Sequence, residues 1–296
     1  MRIVSLLPSA TEIVYLLGLS DALVGVTHEC DWPPEAGSKP RVSHSMLPVG
    51  ATPAEIDRLV GSSASGGAPT HVLDKEVIRE LSPDLVLTQD LCAVCAVPAG
   101  HLRAALDQIG IDAEVVSLDP SSLEEVLRGV VSVGRATGTQ RRAEELASRL
   151  RRRLARVEEA VAGRGRPRVF ALEWADPPFS GGHWVPEMIE LAGGQALGSA
   201  RGLPSRRITW EEVARAEPEV LVFMPCGYDL DGARSQVPEL LERPELAEVA
   251  SVYAAGANGY FSRPGPRLVD GVEALAWALH EDCGITAAPG TLARVR

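Results

Sequence analysis

Glu80-Leu81-Ser82-Pro83-Asp84-Leu85-Val86-Leu87 is echoed later in the chain by Arg215-Ala216-Glu217-Pro218-Glu219-Val220-Leu221-Val222. Both stretches run through a helix end, a proline, an acid and an apolar run. Proline cannot continue a helix and forces the residue before it out of the helical region, so each stretch reads as a helix stop followed by a buried strand. Two weak copies in one chain predict two related domains facing each other across a cleft.

Working outward, further β-type runs at 2–6, 23–27, 114–118 and 168–173 are each followed by a turn and a helical pattern. With 85–88 and 220–224 they give an α/β chain of two Rossmann-like lobes with mainly parallel sheets. The first helix takes Ser9 or Thr11 as its cap, has Glu12 in its first turn, buries Ile13, Leu16 and Leu17, and leaves at Gly18. Residues 122–162 contain no proline and open with the capping box Ser122-Leu123-Glu124-Glu125. Ala143, Leu146, Leu150, Leu154, Val157 and Val161 then recur at steps of three or four. Unbroken, this stretch is a long backbone α-helix of ~60 Å joining the lobes. Gly129, Gly134 and Gly138 lie inside it and allow a bend or a split. The expected organisation is an N-terminal lobe at 1–120, a connecting helix at 121–163, a C-terminal lobe at 164–283 and a poorly ordered tail at 284–296.

The 296 residues are 45% hydrophobic and 23% charged, within the range of globular chains that bury a core. A formal charge of −11 repels phosphate backbones and anionic lipid heads, so no nucleic acid partner is expected. No apolar run approaches the ~20 residues of a membrane span. Pro8 and Glu12 interrupt the N-terminal apolar stretch, so the sequence as it stands has no signal peptide. The expectation is a cytoplasmic protein, or a periplasmic or extracellular one if a leader has been removed. Five cysteines is an odd number, and in a reducing compartment they remain thiols available as ligands or redox groups.

Ligands of open parallel sheets bind beyond the carboxyl ends of the strands. There the chain places His28-Glu29-Cys30-Asp31-Trp32, then Cys92-Ala93-Val94-Cys95, then Trp174 with His183-Trp184, then Cys226-Gly227-Tyr228. Thiolate and imidazole suit transition metals, while indole faces suit a large, mostly apolar ligand. A cleft carrying both fits a metal chelate better than a sugar. Cys92 and Cys95 have the C-x-x-C spacing, and His28 with Cys30 is a candidate second pair for a metal ion such as zinc. Core packing remains the alternative for each cysteine and tryptophan; Trp184, after Gly181-Gly182 in a loop, is expected to line the cleft. The chain has no G-x-G-x-x-G after a strand, no G-x-x-x-x-G-K-[ST], no G-x-S-x-G and no H-E-x-x-H. That removes the main supports for dinucleotide, nucleotide-hydrolysing, serine-hydrolase and metalloprotease activities.

Ser5-Leu6-Leu7-Pro8-Ser9-Ala10-Thr11-Glu12 with Leu17-Gly18, the helix-Pro-Asp-strand element ending at Thr88-Gln89, His183-Trp184-Val185-Pro186-Glu187-Met188 with Ala192-Gly193-Gly194, and Arg263-Pro264-Gly265-Pro266-Arg267 resemble the cobalamin- and iron-chelate-binding proteins of ABC importers. These are the helical-backbone metal receptors, class III among periplasmic binding proteins, and the resemblance runs from Arg2 to about Cys283. It implies two lobes joined by one rigid helix, a ligand between them and little hinge closure. The chain resembles a signal-less, cysteine-bearing branch of that family.

The resulting expectation is a non-catalytic binding protein for a cobalamin-like corrinoid or another metal chelate, with no cofactor required and an ABC importer as possible partner. Trp32, Trp174, Trp184 and Tyr228 would cover the ligand's apolar faces, Arg263 would meet an anionic edge, and His28 or His183 would replace water on the metal. Cys30, Cys92, Cys95 and Cys226 complete the expected crevice, with His28, Cys30, Cys92 and Cys95 as the candidate metal set. The alternatives are a cytosolic metal-ion-binding protein and a thiol- or metal-dependent enzyme that uses the same cluster.

Overall fold

The apolar run Ile3–Ser5 forms β1, and Pro8 two residues beyond Leu6 starts α1 (Pro8–Leu16), its fixed φ suiting the first helical turn. In the computed structural model, which describes residues 1–48, 51–64, 71–89 and 99–296, these elements open the first of two units. Unit 1 is Met1–Pro120 with Glu125–Ala147; unit 2 is Ser121–Glu124 with Ser148–Arg296.

Unit 1 continues with β2 (Leu23–Val26), β3 (Ser43–Ser45), α2 (Pro53–Ala64), β4 (His71–Leu73), α3 (Lys75–Leu81), β5 (Leu85–Thr88), α4 (Ala99–Ile109) and β6 (Glu114–Ser117). Its sheet is parallel throughout, in the order β2-β1-β5-β6, and β3 and β4 form a separate antiparallel ribbon. All four residues of β5 are buried, as expected of a strand covered on both faces. Val4, Leu6, Val86, Ile78 and Leu102 pack into one core between sheet and helices.

Thr11 is not the cap of α1. Leu7 precedes the helix without a side-chain cap, and Thr11, one turn in, spends its hydroxyl on Ser5 Oγ at 2.9 Å. The exit at Gly18 is as read: φ is +73°, a left-handed conformation open to glycine, and Arg142 donates to the Leu17 carbonyl at 3.2 Å.

The stretch 122–162 forms two helices, α5 (Leu123–Ala136) and α6 (Gln140–Val161), rather than one rod. Gly138, at φ +69°, makes the break. The 22 residues of α6 span ~33 Å, and the boundary between the units falls inside it, at Ala147/Ser148. Residues 121–163 are therefore shared between the units rather than forming a separate connector.

Unit 2 adds β7 (Arg168–Ala175), β8 (Pro178–Ser180), α7 (Val185–Leu191), β9 (Gln195–Leu197), β10 (Arg206–Arg207), α8 (Trp210–Arg215), β11 (Val220–Phe223), α9 (Leu230–Leu241), β12 (Ser251–Ala255), α10 (Leu268–Leu279) and β13 (Leu292–Arg294). The sheet order is β10-β8-β7-β11-β12-β13, with β9 also on β7; β9, β7, β11 and β12 are mutually parallel. Residues 284–296 correct the expectation of a loose tail. Leu292–Arg294 pairs antiparallel with β12, and Thr291 is fully buried.

The duplicated phrase makes the same fastening twice. Arg2 N–H donates to Asp84 Oδ2 at 2.7 Å and Asp84 N–H returns to the Arg2 carbonyl at 2.9 Å. In unit 2, Arg168 N–H donates to Glu219 Oε2 at 2.8 Å and Glu219 N–H returns at 2.9 Å. Ser82 and Glu217, each just before the proline, take φ of 41° and 48° and turn the chain out of the preceding helix. The fold class read from sequence, α/β with parallel sheets in two lobes, is the fold observed.

Candidate functional site

In unit 1 the loop after β2 is tied down by its own hydroxyls and thiol. Cys30, 1% exposed, lies with Sγ 3.1 Å from Thr11 Oγ1 and 3.6 Å from Thr27 Oγ1. Arg41 holds the carbonyls of Thr27 and Cys30 at 2.5 and 2.9 Å. Cys30 is thus a buried latch between loop and helix, not the crevice-lining thiol expected from sequence.

His28, on the same loop, contacts Ser43 Oγ through Nδ1 at 3.0 Å and tilts against the His71 ring, with centroids 5.1 Å apart. Its Nε2 is sealed from solvent and has no hydrogen-bond partner among the described residues. Burial, then the charge of His71, push its pKa down to about 4, with smaller pushes from Arg41 and His44 and an opposing pull from Ser43. The ring is therefore neutral at ordinary pH. Trp32 is 44% exposed, an accessible indole.

Cys92 and Cys95 lie outside the described residues. Among the described residues no group of three or more His, Cys, Asp or Glu could hold a metal ion.

In unit 2 the carboxyl ends of β7, β11 and β12 are drawn together by backbone bonds. Cys226 N–H donates to the Glu173 carbonyl at 3.3 Å, and Asn258 N–H to the Tyr228 carbonyl at 3.1 Å. Trp174, Cys226, Tyr228 and Arg263 are all partly exposed around these ends. Glu173 also turns a carboxylate oxygen to Gly182 N–H at 3.4 Å, bringing the glycine pair to the same edge.

Trp184 lies in the turn before α7, as its loop reading expects, but it is buried there. It is 4% exposed, immediately precedes α7, and donates Nε1–H to the Phe261 carbonyl at 2.7 Å. A buried indole keeps its N–H satisfied, and the carbonyl that does so belongs to the π-helical turn Asn258–Ser262. His183 beside it is half-buried, ring centroids 5.5 Å apart, and burial lowers its pKa.

Sequence reasoning missed Ser43, His71 and Phe261, because each meets its partner across a long stretch of chain and carries no local motif. Gly182 was legible only as part of a glycine pair; a Cβ there would lie 2.1 Å from Ser205 N.

The family model described as "Periplasmic binding protein" matches residues 3–261. A "Vitamin B12-binding protein" of Vibrio cholerae is 26% identical over 280 residues, covering 92% of this chain and 86% of that protein. Among solved structures, a periplasmic heme binding protein from Pseudomonas aeruginosa superposes with a TM-score of 0.74 at 22% identity, covering 99% of this chain and 97% of that one. The periplasmic vitamin B12 binding protein of Vibrio cholerae gives 0.69 at 24% identity, covering 94% and 96%. Both structural likenesses bear on the fold alone. Both solved relatives are periplasmic proteins, and nothing in these likenesses supports the expected cytoplasmic location. No described helix is long and apolar enough to cross a membrane.

Proposed function

Because the chain belongs to the periplasmic binding protein family, we propose that it is a non-catalytic receptor for a cobalamin-like corrinoid or a related metal chelate, acting as the substrate-binding component of an ABC importer. The observation that supports this reading is that Trp174, Cys226 and Tyr228 lie at the strand ends of unit 2, with His183 next to Gly182, whose N–H meets the Glu173 carboxylate at that edge. Flat aromatic faces there suit a broad apolar ring, and a neutral imidazole suits a metal. The match to vitamin B12-binding proteins along most of the chain supports the same ligand class. Arg263, partly exposed in the same unit, is the residue assigned to an anionic edge of the ligand. A site carried on parallel-sheet edges is already formed, so little free energy is lost in ordering the protein on binding.

The test is to mix the protein with hydroxocobalamin, and separately with haem, and to desalt each mixture. The expected result is a coloured protein fraction with about one ligand per chain. Colourless fractions at micromolar concentration with both ligands would sink the proposal. Trp174→Ala should weaken binding about tenfold, equivalent to about 1.4 kcal/mol.

A further inference from the structure

The two units differ where a ligand would sit. In unit 1, β1 leads through Leu6-Leu7 directly into α1. In unit 2, residues 176–184, including the short strand β8, intervene between β7 and α7. Since unit 1 builds the same β-α step without them, the parallel frame does not require these residues, and they end at His183.

We propose that His183 is the donor this protein presents to the metal of a bound chelate, displacing an exchangeable water from the metal's open face. The proposal rests on the chelate reading above. The bond between metal and water breaks, a bond from a ring nitrogen to the metal forms, water leaves, and the metal keeps its oxidation state.

Three features carry it. His183 sits at φ +53°, a left-handed conformation disfavoured for a residue with a side chain. Both its backbone groups are held there: its N–H donates to the Leu203 carbonyl at 2.6 Å, and Gly202 N–H donates to its carbonyl at 2.8 Å. The neighbouring Gly182 lies against the backbone of Pro204 and Ser205 so closely that no Cβ fits. The backbone that carries the ring is therefore held in a rigid seat, a support a coordinating group needs.

The second feature is the ring's own freedom. Its nitrogens have no hydrogen-bond partner among the described residues and are not sealed from solvent. The ring packs beside Trp184, which is itself fixed by its bond to the Phe261 carbonyl.

The third is the contrast with His28, the other histidine the sequence offered. Its Nδ1 is taken by Ser43 and its Nε2 is closed off. A ligand could reach it only after the loop moved.

The experiment titrates the full chain with aquocobalamin, whose upper face is open, with cyanocobalamin, whose upper face is closed by cyanide, and with ferric haem. His183→Asn and His183→Gly are the variants, because both residues tolerate the positive φ and keep the loop. Wild type is expected to shift the visible bands of aquocobalamin on binding and to hold it at least tenfold more tightly than either variant. Cyanocobalamin should bind all three proteins alike without a shift, and added imidazole should restore the shift in His183→Gly. A shift seen only with haem, and lost in both variants, also supports the proposal and identifies an iron porphyrin as the ligand class. Binding by wild type with identical spectra and affinity in both variants overturns the role of His183 and leaves the receptor reading intact. No binding of any macrocycle by wild type overturns both.

Discussion

Arg2 with Asp84 and Arg168 with Glu219 are one fastening built twice, whereas the loops above them have diverged. In unit 1 the strand-end loop closes on itself through Thr11, Cys30 and Thr27, leaving a sealed thiol and a sealed imidazole nitrogen. In unit 2 the equivalent edge carries an added segment whose histidine remains uncommitted. A parallel frame constrains where strands begin; the carboxyl ends are free to become either a latch or a site.

The sharpest way to break this comparison is to unseat the added segment alone. Gly182→Ala places a methyl group into the Pro204–Ser205 backbone and should cost at least about 3 kcal/mol, seen as a lowered thermal midpoint, with loss of ligand binding. Gly165→Ala, with nothing within 4 Å, is the matched control and should melt like wild type. If both variants melt alike, the seat of His183 is not as described.

Next in size is the latch of unit 1. Thr11→Val removes the partner of Ser5 and Cys30 in a buried setting and should destabilise by about 2 kcal/mol in urea. Cys30→Ser, which can still bond both threonines, should cost less, and neither change should alter ligand affinity at saturation. A large loss of affinity in Cys30→Ser would instead restore the thiol to the site.

The shared fastening predicts equality. Asp84→Ala and Glu219→Ala should each cost about 1 kcal/mol, since both carboxylates accept one backbone N–H near the surface. Urea midpoints differing by more than that amount would show the two copies to be unequal.

The smallest effect is pH-dependent. His28 titrates near 4 in the folded chain and near its ordinary 6.5 when unfolded. Between those values the unfolded chain binds the extra proton, so stability is complete above about pH 6.5, falls as pH drops towards 4 and then levels. The ring is partly buried, and the loss should be on the order of 1 kcal/mol. His28→Gln should flatten that part of the stability profile. His183 shifts in the same direction by burial alone, without the charged neighbours of His28. Added salt should therefore soften the contribution of His28 and leave that of His183 unchanged.

Legibility in the sequence followed the range of each interaction. The Pro83 and Pro218 stops, the Gly18 exit and the possibility of a break at Gly138 are local backbone chemistry, and all were readable. The burial of Trp184 was not, because the carbonyl that satisfies it lies 77 residues away. Sulfur at a strand end suits a metal, so Cys30 reads as a ligand; its quieter role depends on Thr11, a residue whose position suggests a helix cap. The His28–His71 contact is set by where the β3–β4 ribbon lies, and no periodicity announces it.

Leu292–Arg294 also decides where this chain can be cut. The last strand covers the open side of β12, and Arg294 puts a guanidinium on that final short strand. A protein ending at Cys283 would leave Tyr253–Ala255 with unpaired amides and carbonyls along a bare, apolar border, a template for intermolecular association. Truncations should therefore spare Leu292–Arg294, which keep this protective strand in place.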